Sequence, residues 1–373
     1  MDSIPAVRVQ SLIACQRRLL SEILFFQLFK KVILIIEVAM SNSSSLIIQD
    51  ISECFEFRNE LLKAISFIPF GICSTISNTI LIIAILRNTH LRYRHEMQIV
   101  CALSVADFVE AFATVCGGVY RILIILLNLK DQKFHLLQCM LLPHSWLWRW
   151  SDFATSFMLL TTTCDRILSV IFPLKYMRWR STYSYIAIGL PYALSALLSM
   201  FAWHRSVTKY AEISMLCTNV YISPIFYMFS KYLTAASSVL SVILYIPTIF
   251  IVKIQRKQMS HILTNSQIAR QHRAQVRMTM TLAISCFATF FLDALPRAMG
   301  IYGILDENST EAGKQCEGVM QVLFHLTKLN SIINLFLHYH RNPALRESVL
   351  NVVRMFYIVL HIEKRTEVVK YLS

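Results

Sequence analysis

The sequence predicts an all-α membrane protein, a seven-transmembrane helix bundle with a short amphipathic helix after the last span. Three observations predict it. The 373 residues are 55% hydrophobic and only 16% charged, with a mean hydropathy of +0.52, more apolar surface than a water-soluble core can hide. Seven apolar stretches each reach the roughly 20 residues a helix needs to cross a bilayer. The cations behind the net charge of +14 fall in short clusters between those stretches, with no stripe of basic and aromatic residues on one domain, so they read as orientation signals and no nucleic-acid partner is expected.

Residues 1–60 precede the first span. Leu19–Met40 is apolar in bulk, but Glu22, Lys30, Lys31 and Glu37 interrupt it, and no small-residue cleavage site follows it. A surface amphipathic helix, disorder and a gene-model extension stay open for this extracellular segment. The bundle occupies 61–340. Its first span, Ala64–Leu86, has no formal charge between Lys63 and Arg87. The second, Met97–Leu127, carries Asp107, Glu110 and Arg121, and the third, Leu141–Val170, ends in Asp165-Arg166. The fourth is Tyr183–Trp203; the fifth, Pro224–Val252, has Lys231 near its start. The sixth, Met278–Leu305, contains Phe290 and Pro296, and the seventh is Val319–Tyr339. Pro343 then opens a stretch with Leu345, Val349, Leu350, Val353 and Phe356 apolar and Arg346, Glu347 and Arg354 polar, an amphipathic helix on membrane lipid within the cytoplasmic segment 341–373.

Loop charges set the orientation. One side holds Arg87, Arg92, Arg94, Lys175, Arg178, Arg180 and the basic loop from Lys253 to Arg277; it should be cytoplasmic, which puts the amino terminus outside a plasma membrane crossed several times. The sequons at Asn42 and Asn308 both fall on the exterior side, where glycosylation occurs.

Two polar constellations stand out. Asp165-Arg166-Ile167, followed by Pro173 and Tyr176, lies where the third span leaves the membrane, because an acid–base pair is costly in hydrocarbon. Asp107, read as a lone carboxylate of the second span, demands partners; Asn78, Thr155, Asn330, Ser331 and Asn334 could form a cage around it or simply bond one another as interhelical glue. With Leu103/Asp107, Phe290/Pro296 and Cys139/Cys217, these residues over about 60–357 resemble the rhodopsin-like (class A) G-protein-coupled receptors. The run Asp165–Pro173 is most similar to the divergent chemoreceptors of nematodes.

The resemblance implies an extracellular small-molecule ligand, a heterotrimeric G protein as partner, and helix movement between them. Its switch residues would be Asp165, Arg166, Pro173, Tyr176, Tyr245, Phe290, Pro296 and Asn334, with a sodium ion held at Asp107, the one metal the resemblance suggests. It implies a Cys139–Cys217 bridge in the oxidising exterior, although Cys139 stands two residues further from Arg166 than usual; a Cys54–Cys316 bridge stays open. The chain also departs from the family. Ala294 replaces the hinge tryptophan, Leu335 the proline after Asn334, and Val276 the glutamate that locks the arginine in some relatives, leaving Asp165 as the expected holder of Arg166.

For the ligand pocket the candidates are Trp148, Asp152, Asp293 and Lys328. Trp148 stands where amine receptors carry an aspartate, and Lys328 where opsins carry their retinal lysine. With His144 at the opsin counter-ion position, a salt bridge from Lys328 to Asp293 or Asp152 is favoured over retinal. Three alternatives stay open: a peptide receptor of the same fold, an opsin-like photoreceptor through Lys328, and a seven-span ligand-gated channel of inverted topology. No nucleophile–base pair, phosphate loop or metal cluster is evident, so no catalysis is assigned.

Overall fold

The computed structural model describes residues 52–372 except 173–174, 177–178, 180, 219–221, 260–283, 285–286 and 300–311. The chain divides into two compact units, Met1–Leu62 and Lys63–Ser373. Of the first, the described part is the opening of helix α1; the rest concerns the second.

Nine helices are described in full: α1 (Ser52–Arg87), α2 (Thr89–Arg92), α3 (His95–Leu126), α4 (Leu136–Leu141), α5 (Pro143–Ile171), α6 (Ser181–Thr208), α7 (Pro224–Met259), α8 (Ala312–Arg341) and α9 (Pro343–Leu372). Between α7 and α8, a π-helical turn at Phe290–Ala294 continues as helix to residue 299. Four stretches among the described residues are long and apolar enough to cross a membrane: Glu60–Arg87, His95–Leu126, Thr182–Thr208 and Pro224–Pro247. α5 does not match them in hydropathy for a physical reason. It packs against α3, α6 and α7, so it needs no apolar coat and can bury Arg149, Thr155, Asp165 and Arg166 instead. α6 is the opposite case, with Tyr185, Ile186, Leu190, Leu194, Leu197 and Phe201 exposed along one side as a surface suited to lipid.

The helices overrun the apolar runs that announced them, since their polar ends need no hydrocarbon. Their hydroxyls are kept at home: Thr75, Thr79, Thr161, Thr162 and Thr163 each donate to the carbonyl four residues earlier. Gly71 and Gly118 let α1 and α3 approach closely, because a Cβ at Gly71 would lie 2.6 Å from Val115 Cγ2 and one at Gly118 3.2 Å from the Ala64 carbonyl oxygen.

At one end of the bundle, strands β1 (Lys133–His135) and β2 (Glu212–Ser214) pair antiparallel, with Phe134 opposite Ile213. α4 follows with a capping box, His135 accepting from the Leu137 amide while Gln138 accepts from the His135 amide. The Cys139–Cys217 disulfide ties α4 to the segment after β2, among buried Leu136, Met140, Ala202 and Ile222. The extra spacing between Cys139 and Arg166 is thereby explained: Cys139 sits on its own short helix, and α5 restarts at Pro143, whose missing N–H costs nothing at a first helical position.

At the opposite end, Leu345, Val349 and Val352 of α9 pack on Leu81, Ala84, Ile85, Leu91, Met97 and Val100. The expected amphipathic helix differs in length, 30 residues and not short; Val352 completes the buried seam, and Val353 and Phe356 are exposed.

Candidate functional site

The described interior carries three polar clusters stacked from the α9 end to the disulfide end. The first lies where α5 finishes. Arg166 is 3% exposed, and its Nη1 donates to Glu96 Oε2 at 2.7 Å. Glu96 opens α3, an acid suited to the positive end of a helix, and it also accepts from Arg94 at 2.6 Å. Asp165 faces elsewhere: its Oδ1 accepts from the Tyr176 hydroxyl at 2.9 Å and from the Tyr183 hydroxyl at 3.0 Å. The expectation that Asp165 alone holds Arg166 is therefore corrected, because neighbouring residues on a helix point apart and Glu96 reaches the guanidinium from the next helix.

His95 secures the same corner. Its Nδ1 pairs with Ser184 Oγ at 2.7 Å and its Nε2 with the Trp179 carbonyl at 2.9 Å, while its ring meets Tyr176 and Tyr183 edge-on. Burial and the nearby Asp165 carboxylate push the Tyr176 hydroxyl well above the ordinary tyrosine range, so it stays a donor at neutral pH. Tyr245 is buried within electrostatic reach of Arg166. Arg166 Nη2 and Asp165 Oδ2 have no hydrogen-bond partner among the described residues. Pro173 lies outside the described residues.

The second cluster is at mid-bundle. Asn78 Nδ2 donates to Ser331 Oγ at 2.7 Å, Ser331 Oγ meets Ser74 Oγ at 3.0 Å, and the Asp107 carboxyl interacts with the Ser331 and Thr155 hydroxyls. Asp107 is not alone, however. Glu110 stands one turn further along α3, accepts from Thr155 Oγ1 at 3.5 Å and pairs with Lys328 Nζ. Lys328 thus takes neither Asp293 nor Asp152, and that expectation too is corrected, because α3 brings a nearer carboxylate. Asn330 is buried with its Oδ1 unpaired among the described residues, and Asn334 is half-buried.

The third cluster joins three helices. Arg297 Nε donates to Asp293 Oδ1 at 2.9 Å and its Nη1 to Asp152 Oδ1 at 2.6 Å; Lys231 Nζ approaches Asp152 Oδ2 at 3.4 Å; Ser238 Oγ donates to Asp293 Oδ2 at 2.5 Å. Two cations thus serve two carboxylates with little exposure, the condition under which buried charges persist. Asp293 and Ala294 belong to the π turn, and Pro296 follows it buried. The Leu295 amide reaches back to the Phe290 carbonyl, a local widening of the helix common at functional sites. Phe290, expected in the switch, is 40% exposed and meets Phe291 edge-on rather than entering the interior.

Trp148, one turn above Asp152, meets Phe324 edge-on and sits beside His144 and Arg121 at a small cavity. The sequence reading missed Glu96, Glu110 as a partner, and Arg297. Only the last had a local signal, its i,i+4 spacing from Asp293. Asn42, Asn308, Val276 and the side chains of Cys54 and Cys316 lie outside the described residues.

The family model for the serpentine type 7TM GPCR chemoreceptor Srsx matches residues 71–353. No curated protein matches the chain.

Proposed function

Because the chain belongs to the Srsx family of serpentine 7TM GPCR chemoreceptors, a class of membrane receptors and not of enzymes, we propose that it crosses the plasma membrane seven times, amino terminus outside, binds a small chemosensory molecule and activates a heterotrimeric G protein. The observation that carries this reading is the buried Arg166, held across two helices by Glu96 at 2.7 Å, with Tyr245 nearby to receive it. A ligand at the disulfide end that loosens the Asp152–Arg297–Asp293 bridge would release the π turn and Pro296 from α5 and α7. The helix that carries them would then swing and open the Arg166 end, where the guanidinium could leave Glu96 for Tyr245 and expose a cavity to the G protein. The basic loop between α7 and that helix suits anionic lipid as well.

The resemblance also implies a sodium ion, and the residues fit one. Asp107, Ser331, Thr155 and Ser74 offer a carboxylate and three hydroxyls, the oxygen set a hard cation takes. Glu110 already pairs with Lys328, so Asp107 is the carboxyl whose ionised form a monovalent cation would balance. Bound there, it would brace α1, α3, α5 and α8 in the resting arrangement.

A second reading gains from one observation. Lys328 is 2% exposed and paired with Glu110, so the carboxylate that a retinal Schiff base would need is present after all. An absorption band in the visible after adding 11-cis-retinal would establish it, and its absence would remove it.

The receptor reading is tested in cells carrying a promiscuous G protein and a ligand panel. A response lost in Arg166→Ala at equal surface expression is the expected outcome. Equal responses from both proteins would overturn it.

A further inference from the structure

At the disulfide end, a histidine holds a helix by an atom that protonation would block. His135 ends β1 and caps α4: its Nδ1 accepts from the Leu137 amide at 3.2 Å, so that nitrogen is bare and Nε2 carries the ring proton. Nε2 is buried without a hydrogen-bond partner among the described residues, and the Tyr210 ring packs against the imidazole with centroids 4.4 Å apart. A second proton can therefore enter only at Nδ1, the atom on which the cap depends. Once it does, an N–H faces an N–H and the cap is lost.

The charged ring has an acceptor beside it. Glu212, exposed, stands directly opposite His135 in the β1–β2 ladder, and side chains so placed lie about 5 Å apart at Cβ. The other ionisable groups on the elements around His135 are Lys133 of β1, Tyr210 before β2, and His204, Arg205 and Lys209 at the end of α6; α4 adds none, its Cys139 being bridged. Glu212 is the carboxylate among them.

We infer that His135 is a proton-operated latch on α4: the neutral ring holds the cap, and the imidazolium leaves it for Glu212. The uncapped arrangement binds one proton more than the capped one, so it gains as pH falls through the range in which an imidazole titrates, about 5 to 8. α4 is six residues long and joined to α5 by Leu142 alone, so its loosening reaches the helix that carries Asp152 and, through it, Arg297. The Cys139–Cys217 bridge carries it to the other strand as well, because Cys217 sits at φ 49°, a conformation that persists only while its surroundings hold it. The latch makes the chemoreceptor responsive to acid at its outer face, which deepens the proposed function and rests on its orientation.

The test follows amide hydrogen exchange of residues 136–142 of the full chain in lipid nanodiscs, each rate taken relative to the intrinsic rate at that pH. From about pH 7.5 to about 5.5, protection should fall about fivefold, the change that losing an N-cap brings. Asparagine caps a helix without titrating, so His135→Asn should keep its protection at both pH values. Glu212→Gln leaves the cap in place and should need a more acidic buffer for the same fall; it decides the matter if His135→Asn fails to fold. Protection unchanged in acid, a fall undiminished in His135→Asn, a fall that disappears instead in His204→Asn, or an unshifted pH dependence in Glu212→Gln would overturn the latch. In cells with a promiscuous G protein, acid outside should change the reporter output of the wild type and not of His135→Asn. Loosening in nanodiscs without that cellular change would leave the latch standing and sink the outward-facing receptor reading.

Discussion

The consequential residue is Glu96. An acid in the first turn of a helix ordinarily does no more than complement the helix dipole, yet here it closes on a guanidinium from α5. Charge-assisted hydrogen bonds of this kind contribute about 1.5–3 kcal/mol, enough to move a two-state equilibrium roughly tenfold or more. Glu96→Gln should therefore raise ligand-free signalling several-fold at equal surface expression, measured with a cyclic-nucleotide or calcium reporter. Asp165→Asn should raise it less, since Asp165 hydrogen-bonds Tyr176 and Tyr183 and acts on Arg166 only as a nearby charge. A larger effect from Asp165→Asn would return the lock to that residue. Lys328 and Glu110 make a second residue-scale case. Lys328→Met leaves a buried carboxylate uncompensated, a loss of about 3–5 kcal/mol, whereas the double change Lys328→Met with Glu110→Met should recover most of it, read as thermal stability in detergent.

Among elements, α1 against α3 and the π turn decide most. At Gly71 a new Cβ would press on Val115 Cγ2 and, at 3.1 Å, on the Ala111 carbonyl oxygen, which is backbone and cannot turn aside. Gly71→Val should cost about 1–3 kcal/mol or more and appear as a lowered melting temperature. The π turn joins a ladder already widened at Phe290–Ala294 to a proline with no N–H. Pro296→Ala restores the donor and should stiffen the segment, so agonist-driven signalling should fall while surface expression is kept; an unchanged maximal response would show that the bend is static. α5 teaches the complementary lesson. Its polarity kept it out of the apolar spans, and its packing against α3, α6 and α7 is the reason that polarity is tolerated.

For the whole molecule, orientation comes first. In an Asn42→Gln background, removing the second sequon by Asn308→Gln should abolish the remaining glycosidase-sensitive mobility shift if that loop faces outside; no shift in the Asn42→Gln protein would place the loop inside. How much of this was legible in the chain depends on range. Composition, apolar run lengths, the Asp165-Arg166 pair and the spacing of cysteines are local, and they sufficed for an all-α membrane protein and for its family, because a bilayer forces backbone bonds to close within each helix. Which carboxylate meets which cation was not legible. Asp165 and Glu96 are equally charged and both near Arg166 in principle, and Lys328 had Asp152, Asp293 and Glu110 to choose from. Sequence distance carries no information about such pairings. They follow from how α3, α5, α7 and α8 are rotated against one another, and a buried charge, unable to rely on water, accepts whichever partner that rotation brings within about 3 Å.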